Sequence, residues 1–424
     1  MRMRVDENGN WRSFRHRNYR ILYPANAVSN IGSWAQRIAQ DWLVLELTNN
    51  NGYYLGLVTA IQFAPFLFFT LHGGVLADRV KKRIALVVTN TFGGLSALVL
   101  GLLVISNNIE LWHVFACAAV LGISGAIDAP IRQSFTSEIV GHADLANAVS
   151  LNSANFNAGR LIGPAISGFL IAHYGTGPSF LINASSYVAV NIALLSMRES
   201  EFFIRESKKT LGTIREGFAY VKARPDLYVV MIAVFFAATF GLNFQIFNAL
   251  MARGEFNKGP ASFGLLGTFI ALGSFSGALL SARLEKRRNT MFVIRMGTVF
   301  SLAVMCLSVM PTYNFYAAWL PLCGISALTM LITANSLMQM HSDPAIRGRI
   351  TGIYLLIFMG GTPFGSIAIG YLVEAIGVRE SVAVCGGISL IGMLATWIYY
   401  KDKVGVPSDI SVEGVLPTGY DDPR

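Results

Sequence analysis

"GGVLADRVKKR", residues Gly73 to Arg83, crowds five charged side chains into its last six positions, directly between two long apolar runs. The 424-residue chain is 53% hydrophobic and 13% charged, against about 25% charged residues in an ordinary soluble domain, and its mean hydropathy is +0.51. In so apolar a chain, a knot of charge marks a place where the backbone leaves lipid and turns. Working outward from it, twelve apolar stretches of about 20 residues can each cross a hydrocarbon core of roughly 30 Å as a helix. They run over 21–47, 54–76, 84–106, 111–131, 150–172 and 178–197, then 227–250, 261–282, 290–310, 315–338, 350–374 and 380–400. The expected fold class is an all-α polytopic membrane protein.

The formal net charge of +9 is consistent with a nucleic-acid partner until its placement is considered. With the N-terminus inside, 26 of the 33 Lys and Arg residues fall on the cytoplasmic side, three (Arg253, Lys258, Arg379) outside, and four within the membrane. That asymmetry is the positive-inside pattern and places both termini in the cytoplasm; nucleic acid is not an expected partner. Cys117, Cys306, Cys323 and Cys385 lie inside apolar spans without paired spacing, so neither a disulfide framework nor a zinc site is expected. The polar start "MRMRVDENGN" is followed by no small-residue cleavage site, which predicts a retained first helix.

The longest internal connection, 198–226, falls after the sixth span. Its Leu211, Ile214, Phe218 and Val221 recur at helical spacing among Lys208, Lys209, Arg215 and Lys222, as in an amphipathic helix on an anionic leaflet. The expected organisation is a cytoplasmic segment 1–20, a six-helix bundle 21–197, the linker 198–226, a second six-helix bundle 227–400 and a disordered tail 401–424. The halves repeat each other. Gly159, Gly163 and Gly168 match Gly361, Gly365 and Gly370 at a constant offset, "GFLIAHYG" reads against "GYLVEAIG", and Arg79-x-x-Lys82-Arg83 against Arg283-x-x-Lys286-Arg287. Both halves point the same way through the membrane, a parallel repeat of the kind that builds rocking transporters.

Within the opening stretch, Gly73 and Gly74 permit close helix approach, and Asp78 can accept from a helix N-terminus or a basic side chain. Lys81, Lys82 and Arg83 anchor the inner face. Gly74-x-x-x-Asp78-Arg79-x-x-Lys82-Arg83 after the second of twelve spans resembles the loop motif of the major facilitator superfamily. Gly159-x-x-x-Gly163-Pro164-x-x-x-Gly168 is similar to the antiporter motif of that superfamily's drug-efflux branches. "RNYRILYPANAVSNIGSWAQRIAQDWLVLELT", "DAPIRQSFTSEIV" and "DPAIRGRITGIY" resemble the branch that holds enterobactin exporters and macrolide and tetracycline efflux proteins. The resemblance implies two bundles working by alternating access, with Asp78 as a latch on the inner ends while the protein is open outward. Two departures limit it: Lys81 stands where the common loop motif has a second glycine, and span four lacks the mid-helix arginine that many drug antiporters use in proton coupling.

An ionisable side chain at mid-bilayer costs about 2.5–3.5 kcal/mol even on a lenient scale, which makes each one a functional candidate. Asn26, Asn30, Ser33, Arg37 and Asp41 form one stripe along span one, with Arg37 near mid-depth and Asp41 further out. Asp41 is the main candidate for a proton-carrying carboxylate; burial favours its neutral form and Arg37, one turn away, its charged form. The alternative is a structural Arg37–Asp41 pair, in the weaker order for a helix. Arg160 either holds an anionic substrate or packs against carbonyls and Asn155. Asp128 and Arg132, one turn apart at the inner end of span four, are expected to pair at an inner gate with Asp78. Asn30, Gln62, Gln245, Asn248 and Asn335 are candidate cavity residues, although polar side chains in bundles often only bond a neighbouring helix. Pro164 and its flanking glycines permit either a bend or close packing across the halves.

No Gly-x-x-x-x-Gly-Lys-Ser/Thr loop occurs, no Gly-x-Ser-x-Gly nucleophile motif, and no metal spacing among the six histidines. The expectation is a non-enzymatic secondary transporter in a bacterial cytoplasmic membrane, without cofactor or metal. It works as a monomer among membrane lipids and exports a small amphipathic, drug-like molecule in exchange for protons. A siderophore or other anionic metabolite is the second cargo class, favoured by Arg37 and Arg160; uptake, a polytopic membrane enzyme and a non-transporting sensor are the rival functions.

Overall fold

The computed structural model describes residues 11–203, 214–343 and 346–404, and of residues 70–79, 214–215, 347–348 and 404 the backbone alone. The described residues are helical apart from short connections: α1 Arg17–Leu47, α2 Gly52–Arg79, α3 Lys82–Ile105, α4 Leu111–Tyr174, α5 Gly177–Leu195, α6 Ile214–Ala223 and α7 Pro225–Phe236, followed by α8 Phe244–Leu250, α9 Pro260–Arg283, α10 Thr290–Ser308, α11 Tyr313–Met340, α12 Arg347–Gly360, α13 Thr362–Ile376 and α14 Val378–Val404. Among the described residues, ten stretches are long and apolar enough to cross a membrane. α4, at 64 residues, would extend for about 96 Å if straight. It is broken at Gly141, whose φ of 70° and ψ of 176° are not helical, and so has two limbs. α1, with 31 residues, is outside the ten because its polar stripe lowers its hydropathy.

α1 to α5 pack on one another, as do α7 to α14, and the two groups meet mainly where α2 lies against α12 and α13 and where α4 lies against α9. The start of α1, the end of α5, the start of α7 and the end of α14 share one end of the molecule, the terminus-bearing end: the Asn18 side chain donates to the Arg198 carbonyl at 2.9 Å, and the Tyr228 and Tyr399 ring centroids are 5.9 Å apart. At the opposite, distal end the turns are tight and several use left-handed residues: Asn49, Asn50, Asn107 and Asn257, with Gly175 and Gly377 ending equivalent helices. Gly175 and Gly377 close the two segments that the sequence repeat pairs, at φ of 75° and 94°.

The repeat is also a repeat of contacts. Gly159 and Gly163 seat α4 on α1, at Asn30 and Trp34, while Gly361 and Gly365 seat the equivalent helix on Thr239 of the segment that follows α7. Gly168 then meets the start of α9, where an added Cβ would lie 2.8 Å from the Pro260 carbonyl oxygen. Gly370 meets the start of α2, where an added Cβ would lie 2.8 Å from the Gly52 carbonyl oxygen.

Apolar packing divides along the same lines. One large buried cluster runs through both halves and includes Ile38, Trp42, Leu55, Phe263, Leu266 and Val373. A second, with Leu22, Leu86, Phe135 and Leu194, belongs to the first half, and a third, of Val229, Ile294 and Tyr400, to the second. The halves therefore share a core distally and keep separate ones at the terminus-bearing end. There the segment before α1 is pinned to α4 just past the Gly141 break, with Arg15 and His16 both 2.7 Å from Asp144.

Two expectations meet details the sequence did not carry. The seventh span is not one helix: π-helical turns Ala237–Gly241 and Met251–Glu255 flank α8, and the Asn243 side chain donates to the Thr239 carbonyl at 2.8 Å where α7 gives out. In the linker, α6 carries Phe218 and Val221 of the expected amphipathic set, with Val221 buried and Phe218 exposed. It packs on α12, where Arg349 reaches Glu216 at 2.9 Å. Leu211, Lys208 and Lys209 lie outside the described residues, as does most of the tail; α14 itself continues through Lys401 to Val404.

Candidate functional site

The polar stripe of α1 faces protein along its whole length. Its half nearer the termini lines a cleft of about 320 Å³ inside the first half, together with Tyr23, Thr89, Asn90, Asp128, Arg132 and Tyr187. Asp128 and Arg132 form a two-point ion pair, Nε to Oδ1 at 2.6 Å and Nη2 to Oδ2 at 2.8 Å. Thr89 and Asn90 of α3 donate to Asp128 Oδ2 at 2.9 and 3.3 Å, and Arg132 Nη1 donates to Asn26 at 3.1 Å. These partners all belong to the first half, so the pair braces α1, α3 and α4 around the cleft. Thr89, Asn90 and Tyr187 were not singled out from the sequence; a polar Thr-Asn step inside an otherwise apolar span was the available signal.

One turn further along α1 and α4 lies the charged part of the site. The Arg37 guanidinium stands 4.9 Å from the Phe63 ring centroid and 5.9 Å from that of Trp34. Arg160 approaches the same Trp34 ring at 5.8 Å. Among the described residues neither arginine has an ion pair within 4.0 Å or a hydrogen bond. Asn155, the packing partner expected for Arg160, instead accepts from Asn30 and donates to the Tyr23 carbonyl. Asp41 is 3% exposed, and its Oδ2 is buried without a hydrogen-bond partner. Arg37 and Asp41 share a turn without forming an ion pair at that distance.

The remaining candidates separate. Gln62 accepts from Gln40 at 3.1 Å, tying α2 to α1. Asn248 is 2% exposed and accepts from the Tyr316 hydroxyl at 3.0 Å, a bond that fastens α8 to α11. Asn335 accepts from Gln339 on its own helix at 2.8 Å, and Gln245 is half-buried. Gly74, Asp78 and Arg79 fall in the last turns of α2, where the backbone is helical; their side chains lie outside the described residues. α4 passes Pro164 with helical dihedrals, and the proline ring packs against Gly267 of α9.

Immediately distal to Asp41 the halves are sealed. Trp42 stacks on Phe263 with ring centroids 6.1 Å apart, and Arg253 stands 4.8 Å over the other half's Trp42. The Gly52 N–H, at the start of α2, donates to the Glu374 carboxylate at 2.6 Å; nearer mid-depth, Thr268 of α9 donates to the Leu161 carbonyl of α4 at 3.1 Å.

An unpaired carboxylate and guanidinium on the α1 stripe and a second unpaired guanidinium on α4, in a chain whose halves are joined at one end, are the parts of a membrane carrier rather than of a soluble enzyme. The sequence profile of transmembrane secretion effectors, within the major facilitator superfamily, matches residues 8–409. The chain belongs to that family. Among its relatives, this transporter is 22% identical to the staphyloferrin A transporter of Staphylococcus aureus, over 93% of this chain and 99% of the relative. It is 24% identical to the multidrug efflux pump Tap of Mycolicibacterium fortuitum, over 89% and 94%, and 25% identical to the enterobactin exporter EntS of Shigella flexneri, over 89% and 91%. Its fold matches that of a bacterial homolog to the human lysosomal transporter Spinster, inward-facing and unoccupied, with a TM-score of 0.72 at 15% identity over 92% and 98%. An auto-inhibited POT family peptide transporter matches with a TM-score of 0.73 at 11% identity over 95% and 99%. The chain is thus a multi-pass membrane transporter of the major facilitator fold.

Proposed function

We propose that the transporter exports a small amphipathic molecule across a bacterial cytoplasmic membrane in exchange for protons. It does so as a monomer with twelve crossings and both termini in the cytoplasm. The twelve follow if α1 and both limbs of α4 each cross once, and the basic residues at the terminus-bearing end orient it. The relatives named for export of siderophores and drugs support the direction.

The observation that carries the coupling is the buried, unpartnered Oδ2 of Asp41 next to the Trp42–Phe263 contact. Burying a carboxylate without donors is costly unless it carries a proton, so this oxygen is a place for one to sit. The charged groups around it are Arg37 on its own helix and Arg253 across the Trp42 ring, whose Nη1 is also buried and unpartnered. With the distal end sealed, Asp41 is shielded from that side. When the halves rock and Trp42 parts from Phe263, the carboxyl meets the outside and exchanges its proton there. Asp78 serves as the latch of the inner ends in that outward-open state.

The test is cellular accumulation of fluorescent drugs, macrolides and a catecholate siderophore in an efflux-deficient bacterium, with and without a protonophore. Lower accumulation of one class in expressing cells, reversed by the protonophore, is expected. Protonophore-insensitive export removes the antiport, and unchanged accumulation across the panel with the protein in the membrane removes the export reading.

A further inference from the structure

We infer that Arg37, Arg160 and Trp34 form one binding site, and that it takes the planar anionic portion of an organic substrate. The inference rests on the reading of this protein as a carrier of a small organic molecule and gives that cargo a charge.

Arginines inside a membrane protein are normally paired with carboxylates or carbonyls. Here two arginines from different helices converge on one indole, at 5.9 and 5.8 Å, and neither has an ion pair or hydrogen bond among the described residues. Ring contact satisfies a face of a guanidinium but leaves its five N–H donors, which lie in the guanidinium plane, without protein acceptors among the described residues. Asp41, the acidic residue on the same stripe, pairs with neither within 4.0 Å, and its Oδ2 is itself unpartnered. Counting Arg253 across the Trp42 ring, three positive charges therefore surround one carboxylate. The local excess is two charges when Asp41 is ionised and three when it holds a proton.

The site lies one helical turn beyond the cleft in the first half. Ser33 and Phe156 line that cleft, and Arg37 and Arg160 follow them four residues on, one turn deeper along α1 and α4. Phe156 stands edge-on to Trp34 with centroids 5.8 Å apart, and Phe63 underlies Arg37. A ligand entering past Phe156 meets an aromatic wall first and then two forks of N–H donors. A carboxylate or sulfonate on a flat, conjugated body satisfies both, because fork-shaped guanidiniums match such oxygens two at a time. A cation meets two like charges there. A neutral amide offers one acceptor oxygen and two donors where only acceptors are wanted.

The purified transporter is titrated with 2-naphthoate and with its amide, 2-naphthamide, and binding is followed by isothermal calorimetry. The wild type is expected to bind the carboxylate at least ten-fold more tightly than the amide. R37Q and R160Q should each remove most of that preference, whereas R160K, which keeps the charge, should retain part of it. Size-exclusion profiles and melting curves identify variants that do not fold, and R160K carries the comparison if R160Q is among them. Equal or absent binding of the two probes by the wild type overturns the inference, as does a preference that survives in R37Q/R160Q. Binding at equilibrium needs no proton gradient, so this outcome is independent of whether the protein exports or couples to protons; flux assays decide those separately.

Discussion

Arg132 and Asp128 are held to each other at two points and to three neighbours besides, so substituting either one strands the other. Breaking a fully buried pair costs about 3–5 kcal/mol. Here the side chains are 30% and 18% exposed, which reduces the expected cost of R132Q to about 1–3 kcal/mol. In detergent, R132Q should melt several degrees below wild type. D128N/R132Q should regain part of the difference, since no charge is then left unpaired; a double variant as low as the sum of the two singles contradicts this. The stripe that holds these residues was legible because polar positions at spacings of three and four stand out in an apolar helix. The partner of each polar group was not. Arg160 read equally well as a ligand-binding or a packing residue, because the choice depended on whether Asn155, on its own helix, or Trp34, on another, faced it. The loop motif was the plainest signal in the chain, yet the side chains of Asp78 and Arg79 lie outside the described residues, and their latch role rests on the resemblance.

At the scale of elements, the glycine spacing carried more structural information than hydropathy. Three glycines in each half fix which helix each will touch: two set the contact with the helix that starts the half, and the third sets the contact with the other half. Enlarging the third should act on the distal seal alone. In a background lacking Cys117, Cys306, Cys323 and Cys385, a cysteine replacing Phe263 is buried by Trp42. Labelling of that cysteine by an impermeant maleimide from the outside should become several-fold faster in G168L and in G370L. G159A, which perturbs a contact within the first half, should leave the rate near that of the parent. Unchanged labelling in G168L and G370L would contradict the assignment of these glycines to the seal. The break between α7 and α8 was not legible, because the span has no proline and its polar residues Gln245 and Asn248 read as cavity positions. Its backbone is shaped by Gly361 and Gly365 pressing on Thr239 from a helix more than 100 residues away in sequence.

For the whole molecule, the division into a shared distal core and separate cores at the other end makes the distal contacts the ones that must break for the halves to rock. Glu374 and Arg253 are the charged members of that set. A hydrogen bond to a charged group contributes about 1.5–3 kcal/mol; Glu374 is exposed, which lowers this to about 1 kcal/mol, so E374A should shift the conformational balance toward distal opening by roughly five-fold. Spin labels at Asn108 and Lys258, both exposed at the distal end, should gain a longer-distance population in E374A; an unchanged distance distribution would contradict the role. The glycine repeat was legible from the sequence, whereas the pairing of α2 with α12 and α13 and of α4 with α9, and with it the sealed end, was not, because both conformations of a rocking carrier satisfy the same hydropathy pattern.

The central claim is that Asp41 exchanges a proton for cargo. It is tested most directly in everted membrane vesicles acidified inside and loaded with a pH-sensitive dye, by adding a cargo identified in the accumulation panel. The account predicts cargo-dependent proton release from vesicles holding the wild type and none from vesicles holding D41N, which should still bind cargo. Proton release by D41N equal to that of the wild type would contradict it.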